Sequence, residues 1–543
     1  MKHIRKTTWL IILLILLCIG CTDLSDASNN LANTAMRSEN TASPGITYTG
    51  YGANGAVSGA MHILEIGEDK IILDAGLFYG DDGNNAPQLD KKVLDGVSAI
   101  IISHAHLDHT GRLLEVVGLG YSGPIYCTKP TQNLMPVMLR MKARYGDFGP
   151  EVFYYSNLSK LNNDKKGKST AAHLYEKCEY GSQISSKNIG EVFCSRDELE
   201  EKGFYICKAC ADQHVSKVMD LIRIVPPNTK QRITNNLTIE FLNTPHLPGS
   251  AMVLINNKKN QQTIVYTGDI GSGSSRYLPD QTPIQEADYI IVEGTYGTSD
   301  YYSTETDRIK FQQFIGDCIR AIKRVIIPAF VLDRSQQVLG EISRGMDNGY
   351  IPASTPVKVF SPSIAEINHI YTQIFTNQDY QDYFSPDYFE YGPFKPILKE
   401  YDQVQPVYYG EIAVASSGMA DSTYSKEFVK QWVSDPETVF VFVGYQDPDS
   451  LGGKLTGSEL DNLIVDQEDY IVAAEVKKFD CFSGHANYQQ IKSLLQEIRG
   501  LQSVIIVHSD KSVAEELKMA YETDFPYICF MLPESGEKIY LYD

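Results

Sequence analysis

Residues 104–109 read His-Ala-His-Leu-Asp-His, three imidazoles and a carboxylate within six positions. Imidazole nitrogen and carboxylate oxygen are donors that suit zinc, with manganese or iron as substitutes. The hexapeptide follows Val97–Ser103 (VSAIIIS), a nearly continuous apolar run that predicts a buried strand. On a loop leaving that strand, His104 and His106 can point to one side while Asp108 and His109 turn to a second position. Two such positions need further donors from elsewhere in the chain. His246 lies in Thr244-Pro245-His246-Leu247-Pro248-Gly249-Ser250, and Asp269 follows a strand-like run in Tyr266-Thr267-Gly268-Asp269-Ile270. A carboxylate at the end of a strand is well suited to bridge two cations.

The elements that must carry these residues fall into two patterns. From Ile46 to about residue 295, many short strands and few helices are expected, which suggests stacked sheets. Met61–Ile66 and Lys70–Leu73 read as a hairpin around Gly67-Glu68-Asp69. Leu237–Leu242, Thr263–Thr267 and Tyr289–Glu293 read as further buried strands. From residue 304 the spacing of Phe311, Phe314, Ile315, Cys318 and Ile322 is helical. Strands at Val325–Pro328, Val357–Phe360 and Val439–Val443 then alternate with helices at Ala365–Phe375 and Lys426–Trp432, which implies an α/β unit with a parallel sheet to about residue 470. A helix about Ile491–Ile498, a last strand Val504–Val507 and a last helix Ser512–Tyr521 close the reading.

The 543 residues carry 68 acidic and 48 basic side chains, a net charge of −20. That balance excludes a general electrostatic affinity for nucleic acid, so an anionic substrate would need metal ions or local Lys and Arg. At the N-terminus, Lys2, His3, Arg5 and Lys6 precede an apolar run from Trp9 to Gly20. The run is shorter than the ~20 residues that span a bilayer and fits a signal-peptide core. Leu17-Cys18-Ile19-Gly20-Cys21 resembles a bacterial lipobox, which implies lipidation at Cys21, export and attachment to a membrane of the cell envelope; a plainly cleaved signal and an uncleaved anchor are the alternatives. Residues 1–21 are thus read as a lipoprotein-type signal and 22–45, rich in Ser, Asn, Thr and Ala, as a flexible tether. Within residues 155–215, Cys178, Cys194, Cys207 and Cys210 form a cluster with one Cys-x2-Cys pair. A structural zinc site, two disulfides and free thiols all remain open for it.

The hexapeptide resembles the HxHxDH signature of the metallo-β-lactamase fold, and residues 58–76 (SGAMHILEIGEDKIILDAG) resemble the opening strands of that fold, with Asp74 at its first motif. Glu293-Gly294-Thr295-Tyr296-Gly297, Ile327-Pro328-Ala329-Phe330 with Arg334, Ala415-Ser416-Ser417-Gly418-Met419 and Phe442–Gln446 with Leu451-Gly452 resemble stretches of the β-CASP insertion. Phe482-Ser483-Gly484-His485-Ala486-Asn487 and Val507-His508-Ser509-Asp510 resemble its two closing motifs. The resemblance implies an α/β protein: an αββα metallo-β-lactamase sandwich (residues 46–295, with 155–215 inserted, and 471–543) interrupted by a β-CASP domain (296–470). It implies a nuclease of the ribonuclease J and mRNA 3′-end-processing group. His104, His106 and His246 would hold one zinc ion, Asp108, His109 and His508 a second, and Asp269 would bridge them, with manganese a possible substitute and a third, structural zinc possible at the cysteines. Asp74 would orient the hexapeptide. His485, backed by Glu293, would protonate the leaving oxygen. Arg334, Ser416, Ser417 and the Gly418 amide would meet substrate phosphate. A histidine at 508 leans toward RNA as substrate. Asp333 departs from the resemblance, standing where glycine is common. The competing readings are an exported hydrolase of another ester or amide, and a non-catalytic surface binder on the same fold.

Overall fold

The computed structural model describes residues 45–79, 82, 87–145, 154–157, 171–172, 189–193, 205–206, 208–273, 277–376, 398–401, 403–457, 460–482 and 484–541. Signal and tether (1–44), Cys178, Cys194, Cys207 and Ser483 lie outside the described residues. Among the described residues no helix is long and apolar enough to cross a membrane.

Two seven-stranded sheets lie at the centre of the molecule. The first runs, in spatial order, Ile222–Ile224, Ile125–Cys127, Val97–Ile101, Asp69–Leu73, Met61–Ile66, Ile46–Gly52 and Lys538–Leu541. The second runs Gln231–Arg232, Leu237–Asn243, Ala251–Asn257, Gln262–Tyr266, Tyr289–Glu293, Ser503–Val507 and Cys529–Met531. Tyr48, Leu64, Ile71 and Ile101 of the first sheet share one core with Ile239, Phe241, Val253, Ile264 and Ile505 of the second. The opposite face of the first sheet packs Ile63, Ile72 and Ile100 against Leu139 and Val218 of the helices Lys129–Tyr145 and Lys208–Asp220. The outer face of the second packs Val265, Ile290 and Ile506 against Leu494, Leu495 and Leu517 of the helices Tyr488–Glu497 and Lys511–Asp524. This is the expected αββα sandwich, with apolar side chains on both faces of each sheet because each face has a partner layer.

A third sheet has six strands, all parallel: Leu398–Tyr401, Val357–Phe360, Ile412–Ala415, Arg324–Pro328, Thr438–Val443 and Glu475–Phe479. Helix Glu305–Arg320 leads from the second sheet into this one, and helices Arg334–Asp347, Pro362–Thr376 and Thr423–Trp432 connect its strands, as parallel pairing requires. The first of these is opened by a reciprocal cap, in which Thr304 and Asp307 each bond the other's backbone amide.

Three features differ from the expectation. The strand-rich first part also holds the 17-residue helix Lys129–Tyr145. Glu475–Phe479, counted above with the closing segment, pairs with Thr438–Val443 and so extends the six-stranded sheet. Ser503–Val507 is not the last strand, because Cys529–Met531 pairs beside it and Lys538–Leu541 returns to pair with Ile46–Gly52.

Candidate metal centre

The strand Val97–Ile101 ends where the hexapeptide begins, and residues 107–110 form a single helical turn. Backbone bonds of 2.8 Å from Ala75 and Leu77 to the carbonyls of His109 and Leu107 dock that turn onto the loop after Asp74, and a third of the same length, from Ala60 to the Asp108 carbonyl, ties it to the start of the strand Met61–Ile66. Asp74 is fully buried, and its carboxylate accepts four hydrogen bonds of 2.7 Å, from the Ser103 amide, the Ser103 hydroxyl, the Tyr266 hydroxyl and His109 Nδ1. Such a partner fixes the ring's orientation and its proton. Asp74→Asn is therefore expected to weaken zinc affinity about 10- to 100-fold, because an amide nitrogen would face donors it cannot accept from. Competition with a chelator measures the change, and wild-type affinity in that variant would contradict the role.

The remaining donors arrive from distant strand ends. His246 follows Leu237–Asn243, Asp269 follows Gln262–Tyr266, and His508 follows Ser503–Val507 with a left-handed backbone (φ 55°). His104, His106, His246 and Asp269 bring donor atoms within 4.8 Å of one another, and so do Asp108, His109 and His508. Asp269 stands between the two groups. Its Oδ2 is 3.5 Å from both His104 Nε2 and His246 Nε2, while its Oδ1 is 3.2 Å from His109 Nε2 and 3.6 Å from His508 Nε2.

The outward nitrogens of these rings settle their protons. His109 Nδ1 donates to Asp74, His246 Nδ1 to the Gly484 carbonyl (2.6 Å), and His104 Nδ1 to Ser103 Oγ (2.9 Å), whose own proton goes to Asp74. Thr295 Oγ1 donates to Glu293 Oε2 (2.5 Å) and so accepts from His508 Nδ1 (3.0 Å). With Nδ1 so committed, each ring in its neutral form turns an Nε2 lone pair inward. His106 Nδ1 then lies 3.1 Å from His104 Nε2 and 3.2 Å from His246 Nε2, and His109 Nε2 lies 3.2 Å from His508 Nε2. Facing lone pairs with buried Asp269 Oδ1, which takes no hydrogen bond, are the donor set of a cation site, and zinc fits it.

Electrostatics divide the rings: at His109 burial is outweighed by the carboxylates of Asp269 and Asp74, which raise the ring well above the ordinary imidazole range and favour a proton that a cation would have to displace. Burial holds His104 and His246 well below the ordinary imidazole range, and it lowers His106 against the opposing carboxylates of Asp108, Asp269 and Asp333. The neutral ring is the form that ligates a metal. Burial would favour a neutral Asp269, but His109, His508 and His104 outweigh it and hold the carboxyl well below its usual range.

His485 lies beside this cluster. Its Nδ1 is 3.1 and 3.0 Å from the two oxygens of Glu293, which is fully buried at the end of Tyr289–Glu293. Burial opposes the imidazolium, yet the Glu293 carboxylate outweighs it and lifts His485 to about 10. Nδ1 is committed to Glu293, so Nε2 carries the proton available to a substrate. The Tyr296 ring packs edge-on against His485.

Arg334 opens the helix Arg334–Asp347, and its Nη1 is buried without a hydrogen bond. Ser416, Ser417 and Gly418 follow the strand Ile412–Ala415, but their polar groups bond locally: Ser416 Oγ meets Thr423 Oγ1 (3.2 Å), Ser417 Oγ accepts from the Ser422 amide (3.3 Å), and the Gly418 carbonyl accepts from Gln446 (3.3 Å). Cys210 is buried among apolar residues that include Leu139 and Val218. Ser103, Tyr266 and Thr295 went unrecognised as partners in the sequence, although each stands inside or next to a quoted motif.

Residues 54–171 match the Metallo-beta-lactamase superfamily, 335–455 the Beta-Casp domain, and 469–532 the Zn-dependent metallo-hydrolase RNA specificity domain. The chain is a metallo-β-lactamase-fold hydrolase with an inserted β-CASP domain. It is 26% identical over 476 residues to Ribonuclease TTHA0252 of Thermus thermophilus, covering 85% of this chain and 92% of that protein. It is 25% identical to Integrator complex subunit 11 of Danio rerio (91% of this chain, 74% of that protein). The same identity holds for Transcription termination factor FttA of Methanothermobacter thermautotrophicus (82% of this chain, 64% of that protein). The β-CASP part contributes the helix start bearing Arg334, while every donor in the two groups comes from the sandwich.

Proposed function

We propose that this protein is a zinc-dependent ribonuclease that holds two metal ions, one on His104, His106 and His246, the other on Asp108, His109 and His508, with Asp269 bridging. The observation that carries the reading is the placement of Asp269, whose two oxygens face separate histidine groups while His485 and Glu293 stand alongside. Zinc bound there supplies Lewis acidity for a phosphodiester and acidifies a water molecule toward neutral pH. Asp269 keeps the cluster's charge balanced. His485 donates the Nε2 proton to the departing oxygen, and Glu293 orients the ring and favours its charged form. Arg334 turns a guanidinium toward a phosphate oxygen. The names Ribonuclease TTHA0252 and RNA specificity domain support RNA as substrate. The net charge of −20 fits recognition through metal and Arg334 rather than through a broadly basic surface.

The zinc-loaded protein should cut single-stranded RNA, lose that activity to a chelator and regain it with zinc or manganese. Faster turnover of a thioester or lactam than of any phosphodiester would overturn the substrate assignment. We also propose export and tethering through Cys21, a reading supported by the sequence of residues 1–45.

A further inference from the structure

Asp333 is a buried residue with φ 67° and ψ −50°. The Arg334 amide bonds back to the Leu332 carbonyl (2.9 Å), which makes Asp333 the centre of a three-residue turn of the rare positive-φ type. A side chain other than glycine is strained there, and such strain persists only where the surroundings over-determine it. Those surroundings are visible. Asp333 Oδ1 accepts from Tyr277 (2.6 Å) and Tyr371 (3.1 Å), and Oδ2 accepts from Gln337 Nε2 (2.5 Å). Tyr277 belongs to the loop that follows Asp269, Tyr371 to the helix Pro362–Thr376, and Gln337 to the helix that Arg334 opens. One carboxylate therefore ties the β-CASP helix start to the sandwich loop beyond the bridging aspartate.

The next residue depends on that tie. Arg334 reaches into a slot between two glycines. A β-carbon on Gly444 would lie 2.8 Å from Arg334 Nη1, and one on Gly484 would lie 3.6 Å from Arg334 Nη2 and 3.4 Å from His246 Cε1. The guanidinium and the His246 ring thus flank the same glycine, immediately before His485. Within the slot Nη1 has no hydrogen-bond partner, an expensive state for a buried cationic donor unless an anion completes it.

We propose that Asp333 is a positioning residue that holds the Arg334 guanidinium over the metal centre, ready for one phosphate oxygen of the substrate. The inference rests on the hydrolase reading of this site and extends it to a residue that does not touch substrate. Glycine would adopt the turn without strain; aspartate gives up that ease in exchange for three side-chain anchors.

The test is calorimetric titration of the zinc-loaded protein with inorganic phosphate, alongside zinc content, melting temperature and KM for RNA. Arg334→Ala should weaken phosphate binding roughly 10- to 100-fold, the range for a charged hydrogen bond. Asp333→Ala and Asp333→Gly should each weaken it at least about tenfold at unchanged zinc content, and combining Asp333→Ala with Arg334→Ala should weaken it no further than Arg334→Ala alone. Asp333→Asn should stay within about twofold of wild type, because its oxygen still accepts from both tyrosines and its amide meets a turned-over Gln337, whose Oε1 is buried and unpaired. Asp333→Gly keeps the test decisive should Asp333→Ala misfold, since glycine suits the turn. Wild-type phosphate binding by Asp333→Gly, additive losses in the double variant, or no phosphate binding by the wild type would each overturn the proposal. A protein that binds phosphate in this Asp333-dependent way but cuts no RNA would overturn the ribonuclease reading alone.

Discussion

His485→Ala should retain its zinc and lose at least about a hundredfold in the rate of RNA cleavage, the lower end of what a positioned general acid contributes. The expectation follows from which nitrogen is occupied. Nδ1 is bound to Glu293 at 3.0 and 3.1 Å and sits 4.0 Å from Asp269, so the ring is held by carboxylates at one edge and offers a proton at the other. A substrate with a good leaving group, such as bis(p-nitrophenyl) phosphate, needs less protonation and should lose far less than RNA does. Metal analysis of the purified variant makes the outcome unambiguous. His485 also falls within coordinating distance of Asp269 and Glu293 as a third donor group. A parallel fall in zinc content and rate, on both substrates alike, would make it a ligand instead of an acid.

Asp269→Asn should have the larger effect on the metal centre itself. Its two oxygens are the only carboxylate atoms that face both histidine groups among the described residues. An amide leaves one neutral oxygen to serve both groups and removes a negative charge from a buried, imidazole-lined site. Cleavage should fall by roughly a thousandfold or more, corresponding to the several kcal/mol that metal chemistry supplies, and zinc content should fall with it. Asp108→Asn touches one group from a partly exposed position, 3.5 Å from His508 Nε2, and should be the milder of the two. Full zinc occupancy in Asp269→Asn would remove the bridge from the account.

Much of this site was readable before any coordinates. His104 to His109 are compressed into one stretch because a single strand end can serve two positions, and chemistry that dense has few packing explanations. The strands survived inspection for a related reason: runs such as YIIVE and VFVFV are buried on both faces, so their apolar character is unbroken. The support of the cluster was harder to see. Ser103, Tyr266 and Thr295 are ordinary polar residues in sequence, and they become partners only through the folded approach of segments up to 213 residues apart. Asp333 was visible as a departure from glycine, but the use made of it depends on a backbone angle and three donors that the sequence does not pair. The helix Lys129–Tyr145 lies within a region that reads mostly as strands; it contains Pro136, and the burial of Met135 and Leu139 against the first sheet overrides that local reluctance.

Tyr289–Glu293 and Ser503–Val507 are neighbours in the second sheet, paired in parallel from Tyr289 opposite Ser503 to Glu293 opposite Val507. Between them the chain departs to build the six-stranded sheet and then returns. His109 meets His508 across 399 residues, so a nascent chain on the ribosome displays the hexapeptide long before it owns the last ring. Until that final strand slots in beside its partner, the early histidines have neither the Thr295-held imidazole nor a closed cradle. The second donor group therefore stays open, and the two-group centre incomplete, until the segment carrying Ser503–Val507 has been made and has paired with Tyr289–Glu293.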